Sequence, residues 1–338
     1  MKLSRRGFVS GGAAALAITG AGGVAAAPPC LGPNAGVANG RSDGVKTGGS
    51  RMLDIGGGHQ VWLKQVGHGP IPVLLLHGGP GMSHFYFECF EEFLPADRFR
   101  FYYYDQLGCG FSDRPEDVGL WTVERYREEV ERVRSALGLQ HFVLFGHSWG
   151  GMLSIEYALK YQQNLSALVI SNMTASIGAY VKHAQVLRAA LPAEVQAQMK
   201  AYEDRHDIKS EGYQKLMIEH LYMRHLCRCK PWPEPLDRAF KYMNATVYET
   251  MQGPDEFNIV GNYKNWDRWS DLHRIKSRTL LLGGRYDTMS ADDIRRMGTL
   301  IPDSKTIICE NGSHMSMYDD QQRYFTALCD FLGTLPHA

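Results

Sequence analysis

Short apolar segments alternate with segments of helical periodicity along most of this 338-residue chain. Alternating and continuous apolar runs predict strands at residues 52–55, 59–65, 71–76, 100–104, 142–145, 167–171, 279–282 and 305–309. Apolar residues at helical spacing predict helices at residues 121–137 and 152–161. Because continuous apolar runs are typical of strands buried on both faces, the pattern predicts an α/β fold, a mostly parallel sheet covered by helices.

Residues 174–252 break this alternation. They contain no good strand run, are rich in Met, Tyr, His and Arg, and are divided by three prolines within residues 231–235. Ligands of open α/β folds bind at the carboxyl ends of the strands. We therefore expect an inserted helical cap over those ends that selects the substrate, between a first core part at 52–173 and a second at 253–338.

The N-terminal segment has the features of an export signal. A basic start is followed by a weakly apolar, Gly- and Ala-rich stretch with small residues at its end, and Arg5 and Arg6 are adjacent, as in a twin-arginine signal. We expect cleavage after Ala26, a linker at residues 27–51, the twin-arginine export machinery as a partner, and a periplasmic or secreted protein. Since no other segment approaches the roughly 18 apolar residues of a spanning helix, we expect no stable membrane anchor.

Composition and charge exclude several classes of protein. Thirty-six basic residues balance 36 acidic ones, so no excess of positive charge favours binding to nucleic acid. A hydrophobic content of 44% is too high for a mainly disordered chain. Seven cysteines are too few for a disulfide scaffold in a chain of this length.

The strongest single motif is the Gly-x-Ser-x-Gly pattern at residues 146–150. It follows an apolar strand and precedes an amphipathic helix, the strand–turn–helix context of a nucleophile elbow. The flanking glycines allow the tight turn that exposes the serine. The pattern therefore predicts Ser148 as a nucleophile.

A serine hydroxyl needs a base to remove its proton. In folds with a nucleophile elbow of this kind, the three residues follow one another along the chain in the order serine, acid, histidine. Asp287 follows the predicted strand at 279–282 after a Gly-Gly turn, and His314 follows the strand at 305–309. Each therefore lies in a loop just after a strand, where the active sites of α/β folds form. We expect Asp287 to orient His314, and His314 to act as the base.

The glycine-rich segment at residues 77–81 follows a central strand. Its backbone can approach a substrate closely and offer N–H groups to a developing oxyanion. The second donor of this fold is the N–H of the residue after the nucleophile, which is Trp149 here.

No motif requires a metal or cofactor. Four possible ligands lie close together in the predicted cap, but their spacing matches no zinc pattern; these are His220, His225, Cys227 and Cys229. We predict that the protein uses neither.

Four motifs together resemble the proline iminopeptidase family, α/β-hydrolases that also include L-amino-acid amidases: HGGPG at 77–81, DQLGCGFSDRP at 105–115, GHSWGG at 146–151 and GSHMSMYDD at 312–320. The similarity covers nearly all of residues 52–335, including HLCRCKPWPEPL and MQGPDEF in and after the cap. It implies the same triad, Gly79 and Trp149 as oxyanion donors, and Glu256 as the carboxylate that binds the substrate's free α-amino group.

The resemblance implies a serine hydrolase that releases an N-terminal residue, with a proline-type preference, from small peptides or amino-acid amides. Several members carry a second acid directly after the catalytic aspartate, whereas this chain has Thr288. That difference keeps a second reading open, an amidase or esterase acting on small amino-acid derivatives. A non-catalytic binding protein of this fold is a third, although such proteins usually lack a member of the triad.

Overall fold

A computed structural model describes residues 49–335. The predicted signal at 1–26 and almost all of the predicted linker lie outside these residues. Eight strands form one sheet, with bounds β1 Ser50–Asp54, β2 Gln60–Val66, β3 Ile71–Leu76, β4 Phe99–Tyr104, β5 Phe142–His147, β6 Leu165–Ser171, β7 Thr279–Gly284 and β8 Ser304–Cys309.

The strands lie in the order β1-β2-β4-β3-β5-β6-β7-β8. The β1–β2 and β2–β4 pairs are antiparallel, and all five pairs from β4 to β8 are parallel. Successive residues of β3 point into opposite apolar cores, Leu74 into one and Leu75 into the other. The sheet is thus covered on both faces, which confirms the predicted α/β-hydrolase architecture.

Helices follow the strands or lie between β6 and β7. Their bounds are α1 Phe90–Phe93, α2 Val123–Ala136, α3 Trp149–Tyr161, α4 Ile177–Ala189, α5 Ala193–Asp204, α6 Glu211–Met217, α7 Glu234–Lys241, α8 Ala245–Met251, α9 Ala291–Leu300, α10 Ser316–Asp319 and α11 Gln321–Leu332. A π-helix, Ile218–Leu226, continues α6, and short 3-10 turns lie at His84–Phe87, Val118–Leu120, Gln162–Asn164 and Leu272–Arg274.

Two element ends near the nucleophile differ from the sequence prediction. Strand β5 continues two residues past the predicted end at 145, because Gly146 and His147 still pair with β6. Helix α3 begins at Trp149 rather than at 152, directly behind Ser148. Only one residue therefore separates the strand from the helix, which makes the turn between them sharp.

Helices α4 to α8 occupy the region predicted as the cap, residues 174–252, and contact the loops at the carboxyl ends of the strands. The Asn244 N–H donates to the Gly81 carbonyl at 2.8 Å. Two further backbone bonds join the end of the π-helix to the loop after β8, from His314 N–H to His225 O at 3.0 Å and from Met315 N–H to Leu226 O at 2.8 Å. The cap is thus hydrogen-bonded to two loops that carry predicted site residues.

Within residues 49–335, no helix combines the length and the apolar character needed to cross a bilayer.

Candidate active site

Ser148 lies in the one-residue turn between β5 and α3. Its φ of +56° is a conformation that residues with a side chain rarely adopt, and it holds the serine where strand and helix meet. A Cβ on Gly146 would lie 2.1 Å from the Gly150 carbonyl oxygen, and one on Gly150 would lie 2.0 Å from the Leu76 oxygen. Glycine is therefore required on both sides of the turn.

Ser148, His314 and Asp287 form a hydrogen-bonded chain. His314 Nε2 lies 2.9 Å from Ser148 Oγ, and His314 Nδ1 lies 2.8 Å from Asp287 Oδ1. All three side chains are buried. The imidazole therefore touches the hydroxyl with one nitrogen and the carboxylate with the other, as nucleophile activation requires.

Asp287 is held by groups that favour its charged form. The Met289 N–H donates to Oδ1 at 3.0 Å, and Asn172 Nδ2 donates to Oδ2 at 2.7 Å. Burial alone would raise the pKa of Asp287, but His314 and these two donors outweigh it and keep the pKa below its ordinary value of 3.8. The carboxylate is therefore ionised at neutral pH.

The pKa of His314 is set by the opposing effects of burial and charge. Burial lowers it, but the charge of Asp287 and the hydrogen bond to it prevail, and the pKa lies above the ordinary 6.5. Glu256 and Asp319 add smaller effects in the same upward direction. The environment of His314 therefore favours the imidazolium that forms when it accepts a proton.

The oxyanion loop, residues 77–81, lies directly against the nucleophile. A Cβ on Gly78 would be 2.9 Å from Ser148 Cβ, so only glycine allows this approach. Within residues 49–335, neither the Gly79 N–H nor the Trp149 N–H donates to another protein group. Both predicted oxyanion donors are thus free to bind a substrate oxygen.

Gln106 joins the oxyanion loop to the start of α3. Its side-chain Nε2 donates to the His77 carbonyl at 3.0 Å, and its Oε1 accepts from the Trp149 indole at 2.8 Å. Its backbone N–H donates to His77 Nε2 at 3.0 Å. Burial lowers the pKa of His77 to about 4, so the ring is neutral and can accept that bond. The elements carrying the two donors are therefore cross-linked through one side chain.

Glu256 is buried among tyrosines contributed by the cap. The Tyr180 hydroxyl shares its hydrogen between Oε2 at 2.7 Å and the backbone oxygen of Glu256 at 2.6 Å, and the Tyr248 hydroxyl donates to Oε1 at 2.6 Å. Burial first, and then the charge of Glu256, raises the pKa of both tyrosines well above 10.0, so both remain protonated donors. Tyr263, whose pKa is raised by burial and then by the charge of Glu256, stacks on Trp149 with ring centroids 5.8 Å apart. The carboxylate of Glu256 thus lies beside the stacked rings of Tyr263 and Trp149, and Trp149 directly follows the nucleophile.

Thr288, which stands where several family members have an acid, is fully buried. Its hydroxyl donates to Asp287 Oδ1 at 3.2 Å and lies 3.4 Å from His314 Nδ1. In this chain the side chain at 288 therefore supports the acid–base pair.

The structure brings the predicted triad and its oxyanion donors together, and the roles of these residues, with that of Glu256, stay predictions. It also adds Asn172 and Tyr180, which the sequence analysis did not single out. Asn172 follows β6 directly, so its position at a strand's carboxyl end could have marked it. Within the described part of the chain, no group of three or more His, Cys, Asp or Glu side chains is arranged to hold a metal ion.

Known proteins share both the sequence and the fold. Residues 71–321 match the family model described as alpha/beta hydrolase fold. A proline iminopeptidase of Elizabethkingia meningoseptica is 44% identical over 281 residues, which are 82% of this chain and 94% of that protein. The solved structure of VinJ has a TM-score of 0.80 at 31% identity and covers 85% of this chain and 99% of its own.

A second solved structure points to the same family. Proline iminopeptidase from Mycobacterium smegmatis has a TM-score of 0.78 at 31% identity, and the match covers 84% of this chain and 97% of that one. These similarities extend over the core and the inserted helices alike, and they confirm the resemblance found in the motifs. The chain belongs to the proline iminopeptidase family of α/β-hydrolase fold enzymes.

Proposed function

We propose that this protein is a serine hydrolase that releases an N-terminal residue, with preference for proline, from short peptides or amino-acid amides. The observation that carries the proposal is the buried carboxylate of Glu256, which two tyrosine hydroxyls bind. After burial, which lowers the pKa of His314, and Asp287, which raises it most, the charge of Glu256 adds a smaller upward effect. A buried charge needs a partner, and the ammonium group of a substrate provides one. The relatives named as proline iminopeptidases support the choice of residue.

Catalysis follows the geometry of the triad. Ser148 Oγ attacks the scissile carbonyl carbon while His314 Nε2 takes its proton, and the oxyanion is bound by the N–H groups of Gly79 and Trp149. Protonated His314 then donates its proton to the leaving amine, which leaves an acyl-enzyme. Water, activated by His314, hydrolyses this ester and restores Ser148. Asp287 remains ionised throughout and holds the imidazole in the required tautomer.

The tyrosines leave Glu256 free to bind a substrate amine. Each carboxylate oxygen has two lone pairs, and one on each oxygen is taken by a tyrosine. The remaining lone pair on each oxygen can accept one N–H. The secondary ammonium of an N-terminal proline carries two N–H groups, so it matches this acceptor pair. Because this interaction needs a free amine on the first residue, it limits the enzyme to chain termini.

Replacing Glu256 by glutamine tests the proposal. Glu256→Gln should lower kcat/KM for free-amine substrates at least about tenfold, because a charge-assisted hydrogen bond contributes roughly 1.5–3 kcal/mol and 1.4 kcal/mol is one decade. Substrates with an acylated amine, if cleaved, should be nearly unaffected. The measurement is kcat/KM on matched free and N-acetylated prolyl substrates.

Glu249→Gln is the matched control for Glu256→Gln. It removes a carboxylate from α8 that is exposed and paired with Lys209, so both substrate types should keep wild-type kcat/KM. Equal losses on free and acetylated substrates for Glu256→Gln would show that Glu256 only supports the fold. The amidase or esterase alternative, which the threonine at 288 favours, would then be the better description.

We also propose that the protein is exported in the folded state by the twin-arginine machinery and acts in the periplasm or outside the cell. The adjacent Arg5 and Arg6 and the weakly apolar stretch after them support this. Changing both arginines to lysine keeps the charge and should leave the precursor in the cytoplasm. Cell fractionation checks this, and normal periplasmic accumulation of the double-lysine variant would contradict it.

A further inference from the structure

Two buried aromatic side chains connect the oxyanion loop to the base loop, residues 310–314. The Tyr86 hydroxyl accepts a hydrogen bond from the Gly78 N–H and lies 3.2 Å from His147 Nδ1. On its other side, His147 Nε2 lies 2.9 Å from the His314 carbonyl oxygen. Tyr86 and His147 are both completely buried, so water does not compete for these bonds.

Tyr86 and His147 form a hydrogen-bonded bridge between the Gly78 N–H and the His314 carbonyl. These two end groups determine the direction of every hydrogen bond in the bridge. The His314 carbonyl can only accept, so His147 Nε2 must carry a hydrogen. Burial, and next the charge of His314, lowers the pKa of His147 to about 3, so the ring is neutral and Nδ1 has a free lone pair. The Tyr86 hydroxyl therefore donates to His147 Nδ1 and accepts from the Gly78 N–H. Each group along the bridge therefore donates a hydrogen bond to the next one, from the Gly78 N–H to the His314 carbonyl.

The bridge also determines which amide of the oxyanion loop remains free. The Gly78 N–H is used by Tyr86, whereas the next amide, that of Gly79, has no acceptor within residues 49–335. Holding the first amide fixes the direction of the second. The other end of the bridge holds the backbone of His314, whose side chain touches Ser148.

We propose that Tyr86 and His147 are positioning residues that set the free Gly79 N–H and the His314 imidazole at the right separation around Ser148. Neither side chain needs to touch the substrate for this role. It rests on the proposed hydrolase chemistry but not on the identity of the substrate. Because an oxyanion forms only in the transition state, misplacing its donor should lower kcat and leave KM unchanged.

Tyr86→Phe tests the bridge, because it removes one oxygen and keeps the ring. We expect kcat to fall at least about tenfold, less than the roughly 10²–10³-fold typical of deleting an oxyanion donor, with KM unchanged. A prolyl boronate, which forms a tetrahedral adduct with Ser148, should bind more weakly by the same factor. Free proline, a ground-state ligand, should bind as to the wild type.

Tyr103→Phe is the matched control. Tyr103 is equally buried, and its hydroxyl donates to the carbonyl of Phe87, the residue after Tyr86, at 3.4 Å. Removing it costs a hydrogen bond on the same helical turn without touching the bridge, so kcat and boronate affinity should stay at wild-type values.

A second variant and a second reaction complete the test. His147→Gln should give the same kcat defect, and the double variant should lose no more than the worse single variant, because both remove one bridge. The rate at which a small organophosphate modifies Ser148 should fall in parallel. That reaction needs the base and the oxyanion site but no amine recognition, so it tests the bridge even if prolyl substrates are not cleaved.

Two results would overturn the proposal. One is wild-type kcat and organophosphate reactivity in Tyr86→Phe or in His147→Gln. The other is an equal weakening of proline and boronate binding, since a general loss of site structure would affect ground-state and transition-state ligands alike. If Tyr86→Phe does not fold, His147→Gln alone decides between these outcomes.

Discussion

Ser148→Ala should lower kcat by roughly 10⁴- to 10⁶-fold, the range found when a triad loses one of its members. Alanine has no atom that can form the acyl-enzyme, and the remaining catalysis would come only from substrate binding and the oxyanion site. The backbone at 148 already tolerates a side chain at φ +56°. The folded state should therefore survive the change, with a melting temperature close to that of the wild type.

The matched control is Ser154→Ala, in helix α3, which begins directly after Ser148. The Ser154 hydroxyl is fully buried and donates to the Gly151 carbonyl at 2.7 Å, away from the triad. Saturating kinetics and labelling by an organophosphate give the readout: Ser154→Ala should label and turn over, whereas Ser148→Ala should do neither. More than about a tenth of wild-type activity in Ser148→Ala would exclude it as the nucleophile, given the losses that triads show.

Asp287→Asn should lower kcat by about 10⁴-fold, because an amide at this position favours the wrong tautomer of the base. His314 Nδ1 now donates to a carboxylate at 2.8 Å. An asparagine whose Nδ2 faced that nitrogen would make it an acceptor and move the imidazole hydrogen to Nε2, where it could no longer take the serine proton. Asn172, which donates to the other oxygen of Asp287, favours this orientation, whereas the Met289 N–H, which donates to the oxygen that faces His314, favours the opposite one. In both orientations the negative charge beside the imidazole is lost.

The same variant should change the pH profile. Only neutral His314 can act as the base, so kcat/KM falls as pH drops through its pKa, and in the wild type this midpoint should lie above 6.5. Without the charge of Asp287 the pKa falls, so the midpoint in Asp287→Asn should move to lower pH. Asp320→Asn is the control. The Asp320 carboxylate accepts a hydrogen bond from the Asn311 N–H and not from His314, so this variant should keep the wild-type kcat and pH profile. An unshifted midpoint in Asp287→Asn would contradict the proposed pairing.

Sequence patterns were sufficient to select the three residues that the structure joins by hydrogen bonds, because they lie at fixed places relative to strand ends. The Gly-x-Ser-x-Gly turn is a local steric requirement, and the order of serine, acid and histidine limits the choice of partners. Asp287 and His314 could therefore be chosen from 36 acidic residues and 13 histidines. The helix α11 was not predicted, although its seven buried residues out of 12 lie on one broad face, so the helical spacing was present in the sequence.

Contacts made across the fold could not be predicted from one sequence. Asn172 reaches Asp287 over a separation of 115 residues, and Tyr180 reaches Glu256 over 76. Nothing in the local pattern distinguishes these side chains from packed core residues. Tyr86 and His147 lie 61 residues apart in similar apolar surroundings. How the loops pack together at the edge of the sheet determines which side chains pair. The periodicity of each segment carries no information about that packing.

The backbone bonds from residues 314–315 to residues 225–226 have a consequence for how this family can diversify. An insertion that only covered a core could be exchanged between relatives as a module. Here the end of the π-helix is hydrogen-bonded to the backbone of His314, the predicted base, and helps to hold it in place. A chimera that replaced the whole insertion would also replace that support. Cap exchange should therefore keep the host's residues around 225–226, and variation in substrate preference should accumulate in the helices on either side of them.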